Sequence, residues 1–191
     1  MPLPAASARE RAHTRTVTYT GYKRVDGLMD IDATLTDVKD RDYPLASGLR
    51  KGGHALHAIS VRITFDRELT VREVAASHDA NPYGEYCAAV APDYSKLVGL
   101  NLADHFRLKL IDKMGARKGC THLSEMLTWL PSAAFQLLAG ERKDFEPDAD
   151  KKPFQLDRCY ALRSESDAVR KYYPKWFAAV AARTTVSPQT N

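Results

Sequence analysis

Apolar and polar residues alternate with a period of two through much of the first half of the chain. Met29, Ile31, Ala33 and Leu35 alternate with Asp30, Asp32, Thr34 and Thr36. Ile59, Val61, Ile63 and Phe65 alternate with Ser60, Arg62, Thr64 and Asp66. A pleated strand sends successive side chains to opposite faces, so both segments predict strands with one buried and one solvated face. Residues 14–19 predict another strand, with Val17 and Tyr19 on one face. Residues 66–68 predict a tight turn into a strand through Leu69 and Val71, and residues 40–54, rich in Gly and charge, predict a loop. The first half is expected to be an antiparallel meander.

Beyond residue 80 the period lengthens. Asn81-Pro82 suits a helix start, Tyr86, Val90, Tyr94 and Leu97 follow at helical spacing, and Gly99 closes the segment. A second helix is expected from Asn101, stacking Leu102, Phe106 and Leu110. A third starts near Cys120, turns Leu123, Leu127, Leu130, Ala134 and Leu137 inward, and is expected to kink at Pro131. Residues 140–153 predict a solvated connector and residues 154–162 a short strand or extended segment. Val169, Tyr172, Tyr173, Trp176, Phe177 and Val180 form an aromatic helical stripe suited to packing on the sheet. Strands first and helices afterwards predict an α+β fold, an antiparallel β-meander followed by helices packed on one face. One domain is expected over residues 13–183, with flexible ends at 1–12 and 184–191.

Composition narrows the class. Of 191 residues, 44% are hydrophobic and 27% charged, an ordinary globular balance that excludes wholesale disorder, collagen and coiled coil. Twenty-eight basic against 24 acidic residues leave a formal charge of +4, too small and scattered for a protein built to grip nucleic acid. The three cysteines cannot all pair within one chain, and no apolar run has signal-peptide or membrane-span length, so a reducing cytoplasm is expected. The expected partners are a small-molecule substrate and, as an open option, a second copy in a homodimer, with no membrane.

The candidate chemistry centres on Gly119-Cys120-Thr121-His122-Leu123. At a helix N-terminus the unpaired N–H groups favour a thiolate on Cys120, with His122 two residues on and Arg117 and Lys118 just before. The alternative is an inert buried cysteine in a capping segment. If the helices led by Pro82 and Cys120 rest on one sheet face, Cys87, Cys120 and His122 supply three metal ligands, and Cys159 a fourth. Thiolates with an imidazole suit zinc or iron, although the spacings are not finger-like. His57 is a candidate general base, His54 is discounted as its chelating partner on extended backbone, and His78-Asp79 is a candidate supporting pair. Arg107, Lys109, Lys113, Arg117 and Lys118 form a basic stretch that suits either an anion or a solvated helix face.

The order of motifs resembles a known family. It runs His-Thr-Arg at 13–15, Gly-Tyr-Lys-Arg-x-Asp-Gly-Leu-x-Asp-Ile at 21–31, and His57 before Arg-Ile-Thr. Then come Pro82-Tyr83 with Cys87, Gly-Cys-Thr-His-Leu at 119–123, Ala-Ala-Phe-Gln at 133–136 and Leu-Asp-Arg-Cys at 156–159. This pattern is similar to a bacterial family known as a domain of unknown function, number 2889, whose members carry the three cysteines in these places. The resemblance implies that the cysteines share a site and places such proteins loosely near the breakdown of aromatic compounds. Ala58 departs from the acidic residue expected after His57. The middle region also looks like the scaffold proteins of iron–sulfur cluster assembly, although no cysteine precedes Cys87 and His122 follows Cys120 instead of preceding it. The favoured expectation is a metal- or thiolate-dependent lyase or hydrolase acting on a small carboxylated aromatic or acyl thioester. Cys120, His122 and His57 would be catalytic, Arg117, Lys118 and Tyr83 would bind substrate, and Cys87, Cys120, His122 and Cys159 would hold zinc or iron. The alternatives are an accessory protein that binds metal or an iron–sulfur cluster, and an anion- or nucleic-acid-binding module.

Overall fold

In the computed structural model, which describes residues 2–139 and 150–178, the period-two segments are strands. β1 (His13–Lys23), β2 (Met29–Lys39), β5 (Ala55–Phe65) and β6 (Val71–Ala80) form an antiparallel sheet in the order β1-β2-β5-β6. Between β2 and β5, the segment expected to be a loop carries a small hairpin, β3 (Tyr43–Leu45) and β4 (Gly48–Arg50). Helical elements follow, so the fold is α+β as the patterning predicts.

The chain divides into two compact units, Met1–Leu137 and Leu138–Asn191. In the first, one sheet face is the core: Met29, Ile31, Ala33 and Leu35 lie opposite Phe65, Ile63, Val61 and Ile59, and all are buried. Burying each large aliphatic side chain contributes about 2 kcal/mol. The opposite face carries Asp32, Thr34, Ser60 and Arg62, with Arg62 paired to Asp32 at 2.6 Å.

The helix expected from Asn81 is broken into a turn, a short α1 (Glu85–Ala88) and a 3-10 helix (Ala91–Leu97). The Asn81 side chain accepts the Tyr83 N–H at 3.1 Å, which closes a local turn where the helix was expected to begin. The second helix starts later than expected, as α2 (Phe106–Met114), because the segment before it pairs with the sheet: Leu102 N–H donates to the Leu69 carbonyl at 2.8 Å. The third is α3 (Thr121–Leu138), which continues through Pro131. Leu123, Met126, Leu127, Leu130, Pro131, Ala134 and Leu138 are its buried positions. It lies against the core face of β1, where the Tyr19 hydroxyl donates to the Met126 carbonyl at 2.8 Å.

In the second unit the strand expected at 154–162 is instead a series of turns with a 3-10 turn at Tyr160–Leu162. The Asp157 carboxylate accepts from the Ser164 N–H and hydroxyl and from Lys152, a local network that takes the place of a ladder. The aromatic stripe forms α4 (Asp167–Tyr172) and a 3-10 turn (Pro174–Trp176), while Val180 and most of the predicted connector fall outside the described residues. No described helix is long and apolar enough to cross a membrane.

Candidate functional site

The apolar phase of three neighbouring strands turns polar at the same end of the sheet. Along β2 the buried series Met29, Ile31, Ala33, Leu35 continues to Asp37, along β5 Ile59 is preceded by His57, and along β1 Val17 is preceded by Arg15. The register places Arg15 opposite Asp37 and Asp37 opposite His57, so the three side chains share the core face.

Asp37 is 2% exposed, and its carboxylate accepts four hydrogen bonds. Arg15 grips both oxygens, Nε to Oδ1 and Nη2 to Oδ2, each at 2.8 Å. His13 donates from Nε2 to Oδ1 at 2.8 Å and His57 from Nδ1 to Oδ2 at 3.0 Å. Burial alone would raise this carboxyl, but the hydrogen bonds from Arg15, His13 and His57 outweigh it and hold the group well below the usual carboxylate range. An ionised carboxylate only accepts, so His57 carries its proton on Nδ1 in this arrangement and leaves Nε2 as the acceptor.

His122 comes to this pair from the first turn of α3. Its ring centroid is 4.0 Å from that of His57, with the planes tilted by 40°. Burial, together with the neighbouring His57 and Arg15, pushes the His122 imidazole below its ordinary value, so the neutral ring is favoured. One donor atom each from Asp37, His57 and His122 lie within 4.8 Å of one another, a spacing able to hold a metal ion.

The turn that delivers His122 is fixed from beneath. Tyr94 is fully buried, and its hydroxyl accepts the Cys120 N–H at 3.0 Å and donates toward the Cys120 carbonyl at 2.9 Å. Cys120 in turn accepts the Ser124 N–H at 2.9 Å and so opens α3. Gly119 must be glycine here, because a Cβ would collide with the Met114 carbonyl and crowd the Tyr94 hydroxyl. Cys120 Sγ lies 3.9 Å from His122 Nδ1.

His57, His122, Cys120 and Cys87 line one cavity of about 310 Å³. Tyr43, Leu45 and Leu56 with Pro82 and Tyr83 supply its apolar and aromatic wall. His78 completes the polar side: it sits on β6, and both of its ring nitrogens are buried without a hydrogen-bond partner. Burial pushes its imidazole down. Two β-bulges shape this corner. Leu56 is the extra residue where β5 pairs with β2, and Asp79 is the extra residue where β6 pairs with β5. The first bulge lets consecutive residues Leu56 and His57 line one cavity, which a regular strand forbids.

The structure therefore places Cys87, Cys120, His122, His57 and Tyr83 around a single cavity. Cys87 and Cys120 stand outside the metal-sized donor grouping, which instead joins His57 and His122 to Asp37. Cys159 is exposed in the second unit. Arg117 and Lys118 are exposed on a 3-10 turn (Ala116–Lys118) and do not line the cavity, and Lys118 Nζ donates to the Asp112 carbonyl at 2.5 Å. The rest of the basic stretch is partly engaged, with Lys109 bonded to Asp104 and Arg107 stacked 5.0 Å over Trp129. Asp37, Arg15 and His13 are the site residues that motif reading misses. The signal was an acidic residue in the apolar phase of a strand.

The family model described as a protein of unknown function (DUF2889) matches residues 13–136. All the cavity and cluster residues lie inside that match, and Cys159 lies outside it. No curated protein and no solved structure matches the chain.

Proposed function

This chain belongs to the DUF2889 family, a membership that carries no reaction with it, so we propose a function from the site: a small-molecule enzyme of hydrolase or lyase type, working in the cavity at the α3 N-terminus. The observation that supports this reading is the convergence of the Asp37–His57 pair, the favoured-neutral His122 and the Cys120 thiol on one cavity. Structural histidines and cysteines have no need to face a common void, whereas general acid–base and nucleophilic groups do.

The roles follow from the geometry. Asp37, clamped by Arg15 and His13, fixes the ring of His57 and its Nδ1 proton. His57 Nε2 is then free to take or return a proton on a bound molecule. His122 is placed to accept the Cys120 proton when the sulfur attacks an acyl carbon. At about 310 Å³ the cavity is at the small end of ligand sites, suited to one aromatic ring or a short acyl group. Its lining contains no Lys or Arg, so Tyr43, Tyr83 and the aliphatic wall hold the body of the substrate. A carboxylate or thioester carbonyl then points to the histidines.

The test is turnover of a panel of small aromatic carboxylates and acyl thioesters by wild type, His57→Ala and Cys120→Ser. The expected result is a substrate whose conversion falls at least a hundredfold in His57→Ala, in the general acid–base range. Conversion equal in all three proteins would remove this site as the reacting centre. A second reading, an accessory protein that holds iron or an iron–sulfur cluster, is favoured by the two thiols facing the same cavity as His122. Visible absorption after anaerobic reconstitution with iron and sulfide, lost in Cys87→Ser and Cys120→Ser, would select it.

A further inference from the structure

We propose that Asp37, His57 and His122 bind a divalent transition metal of the zinc or iron(II) class, which replaces the proton shared between His57 Nδ1 and Asp37 Oδ2. This deepens the enzymatic reading of the same cavity but stands on separate observations.

The first is the donor geometry. His57 Nδ1 and Asp37 Oδ2 are 3.0 Å apart. Two ligands at about 2.1 Å from one ion and at right angles to each other stand about 3.0 Å apart, so the same separation serves a hydrogen bond or a shared ion. One donor atom of His122 lies within 4.8 Å of a donor atom of each residue. When the Nδ1 proton of the neutral His57 ring passes through solvent to Nε2, two facing lone pairs are left for an incoming ion, with no net release of a proton. The remaining bonds of Asp37, two from Arg15 and one from His13, stay in place and orient the carboxylate, as the outer partners of metal ligands do.

The second observation is the surplus of unsatisfied donor chemistry around this point. The ring centroids of His57 and His122 lie 4.0 Å apart, with the planes tilted by 40°. The two nitrogens of His78 line the same cavity, buried and without partners. Buried polar groups almost always find partners, and a water or substrate group held by an ion in this cavity would supply one. Third is the type of donor. Two imidazoles and a carboxylate select zinc or iron over magnesium or calcium, which prefer oxygen throughout. Two histidines and one carboxylate leave coordination positions open toward the cavity, where a bound ion would polarise a water or carbonyl.

The full-length protein, stripped with chelator, should be titrated with zinc and, anaerobically, with iron(II). Wild type is expected to bind one ion per chain. His57→Ala and His122→Ala should each weaken binding by roughly a hundredfold or more. Cys120→Ser and the remote Arg117→Ala should bind as wild type. Circular dichroism identifies any variant that has failed to fold, and cobalt substitution of wild type provides a second readout that needs no variant. Its spectrum should show nitrogen–oxygen ligation without sulfur-to-cobalt charge transfer. No stoichiometric ion in wild type overturns the proposal, as does binding that Cys120→Ser abolishes and His122→Ala keeps. If wild type holds no stoichiometric ion but shows His57-dependent turnover, the enzyme reading stands and the metal falls. Stoichiometric metal without turnover on any substrate leaves the reverse.

Discussion

Asp37 occupies a position where the β2 pattern asks for an apolar side chain, and it is stabilised there only by its partners. Removing the charge of Asp37 takes the bidentate acceptor away from Arg15, which is itself exposed and keeps Glu125 at 3.1 Å. Asp37→Asn is therefore expected to cost about 1.5–3 kcal/mol, the range for hydrogen bonds to a charged group, measured by urea unfolding. The titration of the metal-free protein follows from the same residue. Because the folded-state value of Asp37 is depressed, the unfolded chain binds a proton in acid that the native state refuses. The stability it contributes is fully present above the unfolded pKa of about 4 and is lost as pH falls below it. His78 and His122 are also depressed, by burial first, so they add a separate loss as pH falls through about 6.5. Stability against pH should therefore decline in two stages, and Asp37→Asn should shrink the more acidic one, to which other ion-paired aspartates such as Asp32 also contribute.

At the scale of elements, the first turn of α3 depends on Tyr94. Its hydroxyl is the partner of the Cys120 N–H, and no other side chain reaches that group among the bonds described. Tyr94→Phe should cost about 1–3 kcal/mol by leaving buried backbone polar groups unpaired. It should also change the rate at which a thiol reagent modifies Cys120, whereas a purely global loss of stability would alter Cys87 alike. Such elements were unevenly legible in the sequence. β2 and β5 follow directly from period two, because one face is buried along most of each strand. Both run further than predicted, and the reason is informative: Asp37 and His57 belong to the apolar phase, yet their polarity reads as the end of the strand. β6 runs further than Val71 predicts because its inward positions Ala76, His78 and Ala80 are small or polar, so burial alternates where hydrophobicity does not. The β3–β4 hairpin, three residues a side, is too short to show a period. Gly-Cys-Thr-His-Leu did mark the correct helix start, and Cys87 and Cys120 do face one cavity. Pairing across strands is what local reading cannot supply, and Asp37, Arg15 and His13 meet only through it.

For the whole molecule, every residue of the cluster and of the cavity lies within the unit Met1–Leu137. A fragment ending at residue 139, after α3, should fold on its own, with the β-rich circular dichroism and cooperative thermal unfolding of an intact sheet. A fragment that melts without a transition would show that the second unit is needed for the first to fold. Within the first unit, the two bulges have a genetic consequence. Each is one extra residue, Leu56 in β5 and Asp79 in β6, set into a ladder that is otherwise regular beside the site. Deleting Leu56 should leave a folded protein, since Ala55 would then directly precede His57 in uninterrupted pairing with Val38 and Asp37, but one wall of the cavity would be gone and the hairpin before it would enter at a new angle. The difference between a sheet that merely folds and a sheet that carries a pocket is thus one codon in each of two adjacent strands, two steps short enough for a lineage to take, or to lose, one at a time.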